Sequence, residues 1–288
     1  MSIKRILTPL SGRSDSATVA AAACDIAKVT AGHVVGCYVT QGIPPYVYFG
    51  GIGGSVGLYS GQIAESLHVL NERQLKDAAA IFASVRERHG VSSRINGPTP
   101  HGPSAEWAGD QGGPLAFANA ARLADVVVVA QPADDKGFDH IAVFEAALLR
   151  AKRPVLVAPD AAKGIDLATV AIAFNGSAEG ARAVTEALPL LENAGAIHIL
   201  TAGARNDDEP SAADLKEYLG WHGLKATCHA REAAAGNAAE TLLSMAHEVG
   251  AKLLIMGGYT HSHLREMVMG GVTRYMLERS DVPLFMVH

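Results

Sequence analysis

The chain has 288 residues, of which 49% are hydrophobic and 18% charged, with a formal net charge of -5. This is the composition of a folded globular protein of one large or two ordinary domains, and it excludes a disordered chain. The sequence has no long Lys/Arg run, so the electrostatic footprint of a nucleic-acid binder is absent.

Apolar runs of strand length alternate with longer helical patterns, which predicts βαβ units and a parallel sheet. Parallel strands are covered on both faces and therefore read as continuous apolar runs. The first is Ile6-Leu7-Thr8-Pro9-Leu10, followed by a predicted helix over 14–29 and a strand over 33–40. A long helix is predicted over 64–89, then a weak polar strand over 92–96 and a helix over 114–123. The clearest strand is Asp125-Val126-Val127-Val128-Val129; a helix over 138–149 and a strand over 154–158 follow. After a linker at 159–164 the order restarts. Strands are predicted over 169–174, 196–201, 225–230, 252–256 and 282–287, with helices from Ser177 to about 193 and over 212–221, 237–249 and 273–279.

Two pairs of landmarks mark a duplication. Ala124-Asp125 before an apolar run matches Ala251-Lys252 before Leu253-Leu254-Ile255-Met256, and Arg150-Ala151-Lys152-Arg153-Pro154-Val155-Leu156-Val157 matches Glu278-Arg279-Ser280-Asp281-Val282-Pro283-Leu284-Phe285. Self-similarity over more than about a hundred residues indicates duplicated domains, not a solenoid. The expected domains are 1–160, with insertions at 41–63 and 97–113, and 168–288.

Cys24, Cys37 and Cys228 are far apart and form no CxxC pair, so they read as small buried residues and not as a disulfide framework or zinc clip. The opening Met1-Ser2-Ile3-Lys4-Arg5 runs directly into a strand-like segment, so no signal peptide is expected. No uncharged apolar stretch approaches the roughly 18 residues of a membrane span. A soluble, cytoplasmic protein is expected.

The strand and helix order, taken twice, resembles the universal stress protein family. The resemblance rests on Lys4-Arg5-Ile6-Leu7-Thr8-Pro9, the Phe174-Asn175-Gly176-Ser177 turn, the stretch 257–273, and the closing Arg-x-x-x-Pro strands after Arg150 and Arg279. It implies an α/β fold of two tandem Rossmann-like domains, of the adenine nucleotide alpha hydrolase-like type. Each would have a five-stranded parallel sheet in the order 3-2-1-4-5 with helices on both faces. It further implies that the two halves pair with each other as the subunits of a single-domain relative would. Ligands of such sheets bind beyond the carboxyl ends of the strands, where the strand order reverses.

Nucleotide-binding members of the family carry G-x-x-G-x9-G-[ST] after the fourth strand. Small residues there let backbone N–H groups approach phosphate, and the next helix N-terminus adds its positive end. Here the stretch reads Gly257-Gly258-Tyr259-Thr260, nine residues, then Gly270-Gly271-Val272-Thr273. Gly257 and Gly270 match. Thr260 replaces the second glycine, and Gly271 replaces the hydroxyl residue, with Thr273 two positions on. Asn175 stands where these members have an aspartate after the first strand, and keeps a hydrogen-bonding side chain without the charge. The resemblance therefore nominates Asn175, Thr201, Gly257, Thr260, His261, Gly270, Gly271 and Thr273 as nucleotide-binding residues, with ATP and Mg as the cofactor.

Other readings stay open at these positions. Asn175-Gly176-Ser177 is also a turn with a helix N-cap, and the glycines equally suit tight packing of strand against loop. His261-x-His263 lacks further ligands for a zinc site, and Ser262 lies in no G-x-S-x-G elbow. The N-terminal copy has Ser11 in place of the acid, Ala130-Gln131-Pro132-Ala133 in place of the first glycines, and Phe144-Glu145-Ala146-Ala147 near the late Gly-Ser. Pro132 removes a donor and Glu145 repels phosphate, so this half reads as a structural or regulatory partner. The glycine-rich run 50–57 fits neither a dinucleotide fingerprint nor a Walker A loop; a flap over a crevice and a plain surface loop both suit it.

The resulting expectation is a stress-response protein holding ATP or a related adenine nucleotide in its C-terminal half. The alternative is a regulatory interaction module, or a binder of another small ligand. A further homodimer is compatible with both. No general base stands in the motif, so at most slow nucleotide hydrolysis is expected.

Overall fold

The computed structural model describes residues 2–41, 56–94, 102–132, 139–162, 164–203, 208–233, 237–258 and 271–288, with the side chains of 56–64 excepted. The first half runs β1 (Arg5–Leu10), α1 (Asp15–Thr30), β2 (His33–Tyr38), α2 (Val56–Arg88), β3 (Ser92–Ser93), β4 (Ser104–Asp110), α3 (Pro114–Ala121) and β5 (Val126–Ala130). It closes with α4 (His140–Glu145), continued by a π-turn over Ala146–Arg150, and β6 (Val155–Ala158). The second half runs β7 (Thr169–Ala173), α5 (Ala178–Leu191), β8 (Ala196–Ala202), α6 (Ala212–Trp221) and β9 (Ala226–Arg231). It ends with α7 (Ala238–Glu248), β10 (Leu253–Gly257), α8 (Gly271–Arg279) and β11 (Leu284–Val287).

The described strands form one sheet in the order β3-β4-β2-β1-β5-β6-β11-β10-β7-β8-β9. All pairings are parallel except β6 with β11. The expected order 3-2-1-4-5 is present on each side of that seam, as β4-β2-β1-β5-β6 and as β9-β8-β7-β10-β11. At the seam Val155 faces Met286, Leu156 faces Phe285 and Val157 faces Leu284. All six are buried, so the two halves share one apolar core across an antiparallel strand pair. Their removal from water is the dominant force holding the halves together.

The central strands are apolar along their whole length because helices cover both faces. Val126, Val127, Val128 and Val129 are buried, as are Leu253, Leu254, Ile255 and Met256. The facing helices are correspondingly small: α1 buries Val19, Ala20, Ala22, Ala23, Cys24, Ile26 and Ala27. Small side chains let a helix lie close to the sheet without opening cavities.

Three expectations need correction. Of the polar strand expected over 92–96, the described residues show two, Ser92–Ser93 at the sheet edge, and 95–96 lie outside the described residues. The strand that pairs with β2 is Ser104–Asp110, inside the segment expected as an insertion at 97–113. Its sequence Ser-Ala-Glu-Trp-Ala-Gly-Asp is polar because a strand near the edge keeps much of its length in contact with solvent. The expected insertion at 41–63 is likewise shorter, since α2 begins at Val56; the start of the glycine-rich run lies outside the described residues. The third concerns cysteine. Cys24 and Cys37 are buried but Cys228 is exposed on the outermost strand β9. Burial raises the Cys24 thiol to about 11 and pushes Cys37 higher still, so neither is a thiolate at neutral pH. Among the described residues, no helix is long and apolar enough to cross a membrane.

Candidate functional site

Each half has a point where the strand order reverses, between β1 and β5 and between β7 and β10. In the C-terminal half, β7 ends at Ala173, and Phe174 N–H donates to Leu200 O at 3.0 Å, so the carboxyl ends of β7 and β8 lie side by side. The chain then turns sharply. Gly176 has φ +87, and a side chain there would meet Glu209 Cβ at 2.7 Å and the Pro210 carbonyl oxygen at 2.8 Å. Only glycine satisfies both the left-handed backbone and the close approach. Asn175 Oδ1 accepts from Ser177 N–H at 3.2 Å, and Ser177 Oγ accepts from Gly180 N–H at 3.1 Å. Thus the Asn-Gly-Ser turn is an Asx turn feeding a helix N-cap. Asn175 itself is exposed.

Gly257, the last residue of β10, lies against the start of α5. A Cβ at Gly257 would fall 2.6 Å from Gly180 N and 2.8 Å from the Glu179 carbonyl carbon. A Cβ at Gly180 would in turn fall 3.4 Å from Asn175 Oδ1. Gly257, Gly180 and Asn175 therefore form one tight corner, and the absence of a side chain at Gly257 is what lets the α5 N-terminus approach the sheet. Arg182, an exposed residue one turn on, donates to His288 O at 2.7 Å, and His288 Nδ1 lies 3.2 Å from Gly258 O. This places a guanidinium beside the end of β11, the strand next to β10.

The other nominated residues divide. Thr201 lies on β8, where its hydroxyl donates to His229 O at 3.3 Å, across to β9. Gly271 is exposed at the start of α8, with no atom of the described residues within 4 Å of where a Cβ would be. Thr273 is buried in the same first turn. Thr260, His261 and Gly270 lie outside the described residues, together with His263 and Ser262. The structure thus brings Asn175 and Gly257 to one corner and keeps Thr201 on the neighbouring strand. Glu209 Oε2 lies beside the turn at Gly176 and Glu179 lies against Gly257, so acidic residues flank this corner.

The N-terminal crevice is built differently. Ser11, at the end of β1, donates to Asp15 Oδ1 at 2.6 Å and accepts from Arg13 N–H at 3.1 Å. Asp15 Oδ2 lies 3.6 Å from His140 Nε2, at the start of α4. Helix α2 crosses above: with its amide oxygen turned to Arg13, Gln74 accepts from Nε at 2.9 Å and Nη2 at 3.1 Å and donates to the Tyr38 phenol. Tyr38 donates to Asn71 Oδ1 at 2.6 Å. Ser11, Asp15, Gln74 and His140 are only 2%, 4%, 5% and 6% exposed, so the crevice is filled by the protein's own polar side chains. At the α4 N-terminus Asp139 Oδ1 accepts from Ala142 N–H at 2.8 Å, placing a carboxylate where a helix N-terminus favours an anion. Glu145 is half-buried, and burial followed by the nearby Asp139 raises its carboxyl above the usual range.

Two contacts here escaped sequence reasoning. Gln131, read as a lost glycine, donates to Leu277 O at 2.8 Å and Ser280 O at 3.0 Å, capping the last turn of α8 in the other half. Arg182 lies outside any motif. Only the sheet topology brings either to its partner.

Two doubly wound units joined edge to edge, each with a strand-order reversal, define a tandem Rossmann-like α/β protein. Residues 167–288 match the universal stress protein family. The universal stress protein Slr1230 of Synechocystis sp. is 30% identical over 91 residues, 31% of this chain and 31% of that protein. The alignment therefore spans about a third of the relative's own length. A universal stress protein from Archaeoglobus fulgidus superimposes with a TM-score of 0.64 at 18% identity, covering 98% of this chain and 97% of its own. A protein from Pseudomonas aeruginosa does so with a TM-score of 0.55 at 13% identity, covering 99% and 93%. At these identities the likeness establishes the fold across both halves.

Proposed function

We propose that this protein is a universal stress protein that binds an adenine nucleotide, ATP with Mg or a related form, in its C-terminal crevice, and that the N-terminal half is its structural partner. The observation that carries this reading is the contrast between the two crevices. One has an exposed Asn175 beside the glycine corner at Gly257; the other is packed shut by Ser11, Asp15, Gln74 and His140. In this reading Asn175 and Thr201 face the nucleoside, Gly257 shapes the floor, and Thr260, His261, Gly270, Gly271 and Thr273 surround the phosphates. Bound Mg would neutralise phosphate charge, as it commonly does for such ligands.

The alternative is a regulatory interaction module, and one observation favours it: Gly257 is fully explained by its packing on α5. Calorimetric titration of the ligand-free chain with Mg-ATP, beside the Gly270→Asp variant, separates the two. Binding at about one site per chain, lost when a carboxylate is placed at Gly270, is the expected result. No heat and no thermal shift at millimolar ATP would leave the interaction module as the reading.

A further inference from the structure

We propose that His198 and His229 form an acid-sensitive clasp that holds the outermost strand β9 on the sheet and loosens it in mildly acidic solution. His198 Nδ1 lies 2.9 Å from His229 Nε2, with ring centroids 5.1 Å apart and tilted by 40°. In the β8–β9 register, His198 faces Thr227 and His229 faces Leu200. The two rings therefore reach each other diagonally on one face of the sheet, the geometry in which long side chains couple neighbouring strands.

A bond between two imidazole nitrogens needs one proton between them, one ring donating and the other accepting. A first added proton can sit on an outer nitrogen and leave that bond intact. A second places N–H against N–H at the same separation, and the bond becomes a repulsion. The surroundings offer little relief. His229 borders a cavity of about 160 Å³ together with Ala230, Arg231, Met245, Glu248 and Val249. Arg231 and Glu248 are the charged groups there, and they are committed to each other at 2.9 and 2.6 Å. On α7, which packs over this face, Glu240 is bonded to Asn237 and His247 to Asp281. Strand β7, on the other side of β8, carries no ionisable side chain. The opposite face of β9 is tied to α6 by Cys228 Sγ donating to Ala212 O.

Burial, and then the charge of His229, hold the His198 imidazole below its ordinary value of 6.5. Between that depressed value and 6.5 the unfolded chain binds more protons than the folded one, so stability rises with pH across the interval. The loss on acidification therefore begins as the pH falls through 6.5 and ends below the folded value. Strand β9 is the part exposed to this loss, because it is an edge strand with one hydrogen-bonded neighbour. His229 O also accepts from Thr201, so a loosened β9 frees the carboxyl end of β8. That last link rests on the nucleotide reading of Thr201; the clasp does not.

The test is hydrogen exchange of the full chain at pH 7.5 and 5.0, corrected for the intrinsic pH dependence of exchange. Protection of residues 226–231 is expected to fall at least about tenfold at pH 5.0 while residues 253–257 keep theirs, as sub-global opening of an edge element allows. In His198→Gln, which hydrogen-bonds without titrating, the extra loss at pH 5.0 should disappear. Equal protection of β9 at the two pH values in the native chain, or an undiminished loss in His198→Gln, overturns the proposal. NMR titration of the native side chains gives an answer that needs no variant. Coupled titration with His198 below 6.5 supports the clasp, and two independent steps near 6.5 overturn it.

Discussion

The two crevices occupy equivalent places in the sheet, yet opposite devices fill them. At the end of β10, Gly257 has no side chain and the α5 N-terminus closes on it. At the equivalent place in the other half, Ala130 ends β5, paired with Ala158 as Gly257 is paired with Val287. There the space beyond the strands is taken by a buried polar network and by α2. A duplicated fold can thus keep its core while one copy turns its binding end into packing. Apolar strands constrain both copies alike; the loops beyond their carboxyl ends do not.

The largest effect that would sharpen this contrast lies in the closed crevice. Asp15 is 4% exposed, accepts from Ser11 at 2.6 Å and lies 3.6 Å from His140. Asp15→Ala leaves buried polar groups facing an empty space, which typically costs about 3 kcal/mol or more when a buried pair is broken. Urea unfolding should show a loss of that size, with Mg-ATP binding unchanged. A loss of binding equal to that of Gly270→Asp would put the nucleotide in the wrong half.

Next comes the open corner. Gly257→Ala brings a methyl within 2.6 Å of Gly180 N and 2.8 Å of the Glu179 carbonyl carbon, both backbone atoms that no side-chain rotation can move. Overpacking of this kind costs about 1–3 kcal/mol, and the α5 N-terminus must shift away from Asn175. The expected outcome is a lower midpoint in urea together with weakened nucleotide binding. If Gly257→Ala is as stable as the parent chain, the corner is looser than its geometry implies and the comparison with Ala130 loses its meaning.

How much of this was legible in the sequence follows from what each residue depends on. Val126–Ala130 and Leu253–Gly257 could be read because a strand buried on both faces has to be continuously apolar. Ser104–Asp110 could not: near the edge of a sheet, solvent replaces the second covering layer, and polar residues serve. The repeat was legible through landmarks that recur at strand starts, and the strand order only through the resemblance to a known family. In the site, Asn175 and Gly257 stood out because they fall at motif positions of the family that the sequence resembles, and both also suit a turn and a tight strand end. Gln131, Arg182 and the His198–His229 pair did not, since their roles arise from register and from the seam between β6 and β11. Gln131 in particular looks like a lost glycine until the last turn of α8 is placed beside it.

The smallest predicted effect tests the same contrast at the helices that enter the two crevices. Helix α5 is preceded by Ser177 in an extended conformation, φ -66 and ψ 158, and its hydroxyl accepts from Gly180 N–H. Helix α1 is preceded by Ser14 at φ -58 and ψ -34, with no side-chain cap bond. The residue type is the same, but a helical backbone at Ser14 turns its hydroxyl away from the orphan donors that a cap satisfies. Instead, Ser16 Oγ accepts from Gly12 N–H at 3.0 Å, tying the start of α1 to the end of β1. Ser177→Ala should therefore cost about 1 kcal/mol, and Ser14→Ala within about 0.5 kcal/mol of nothing. Thermal unfolding of the two single variants and the double variant measures both, and the costs should add because the sites share no partner. Equal costs would mean that the two helix entries are interchangeable, and that the closed crevice owes nothing to the way α1 begins.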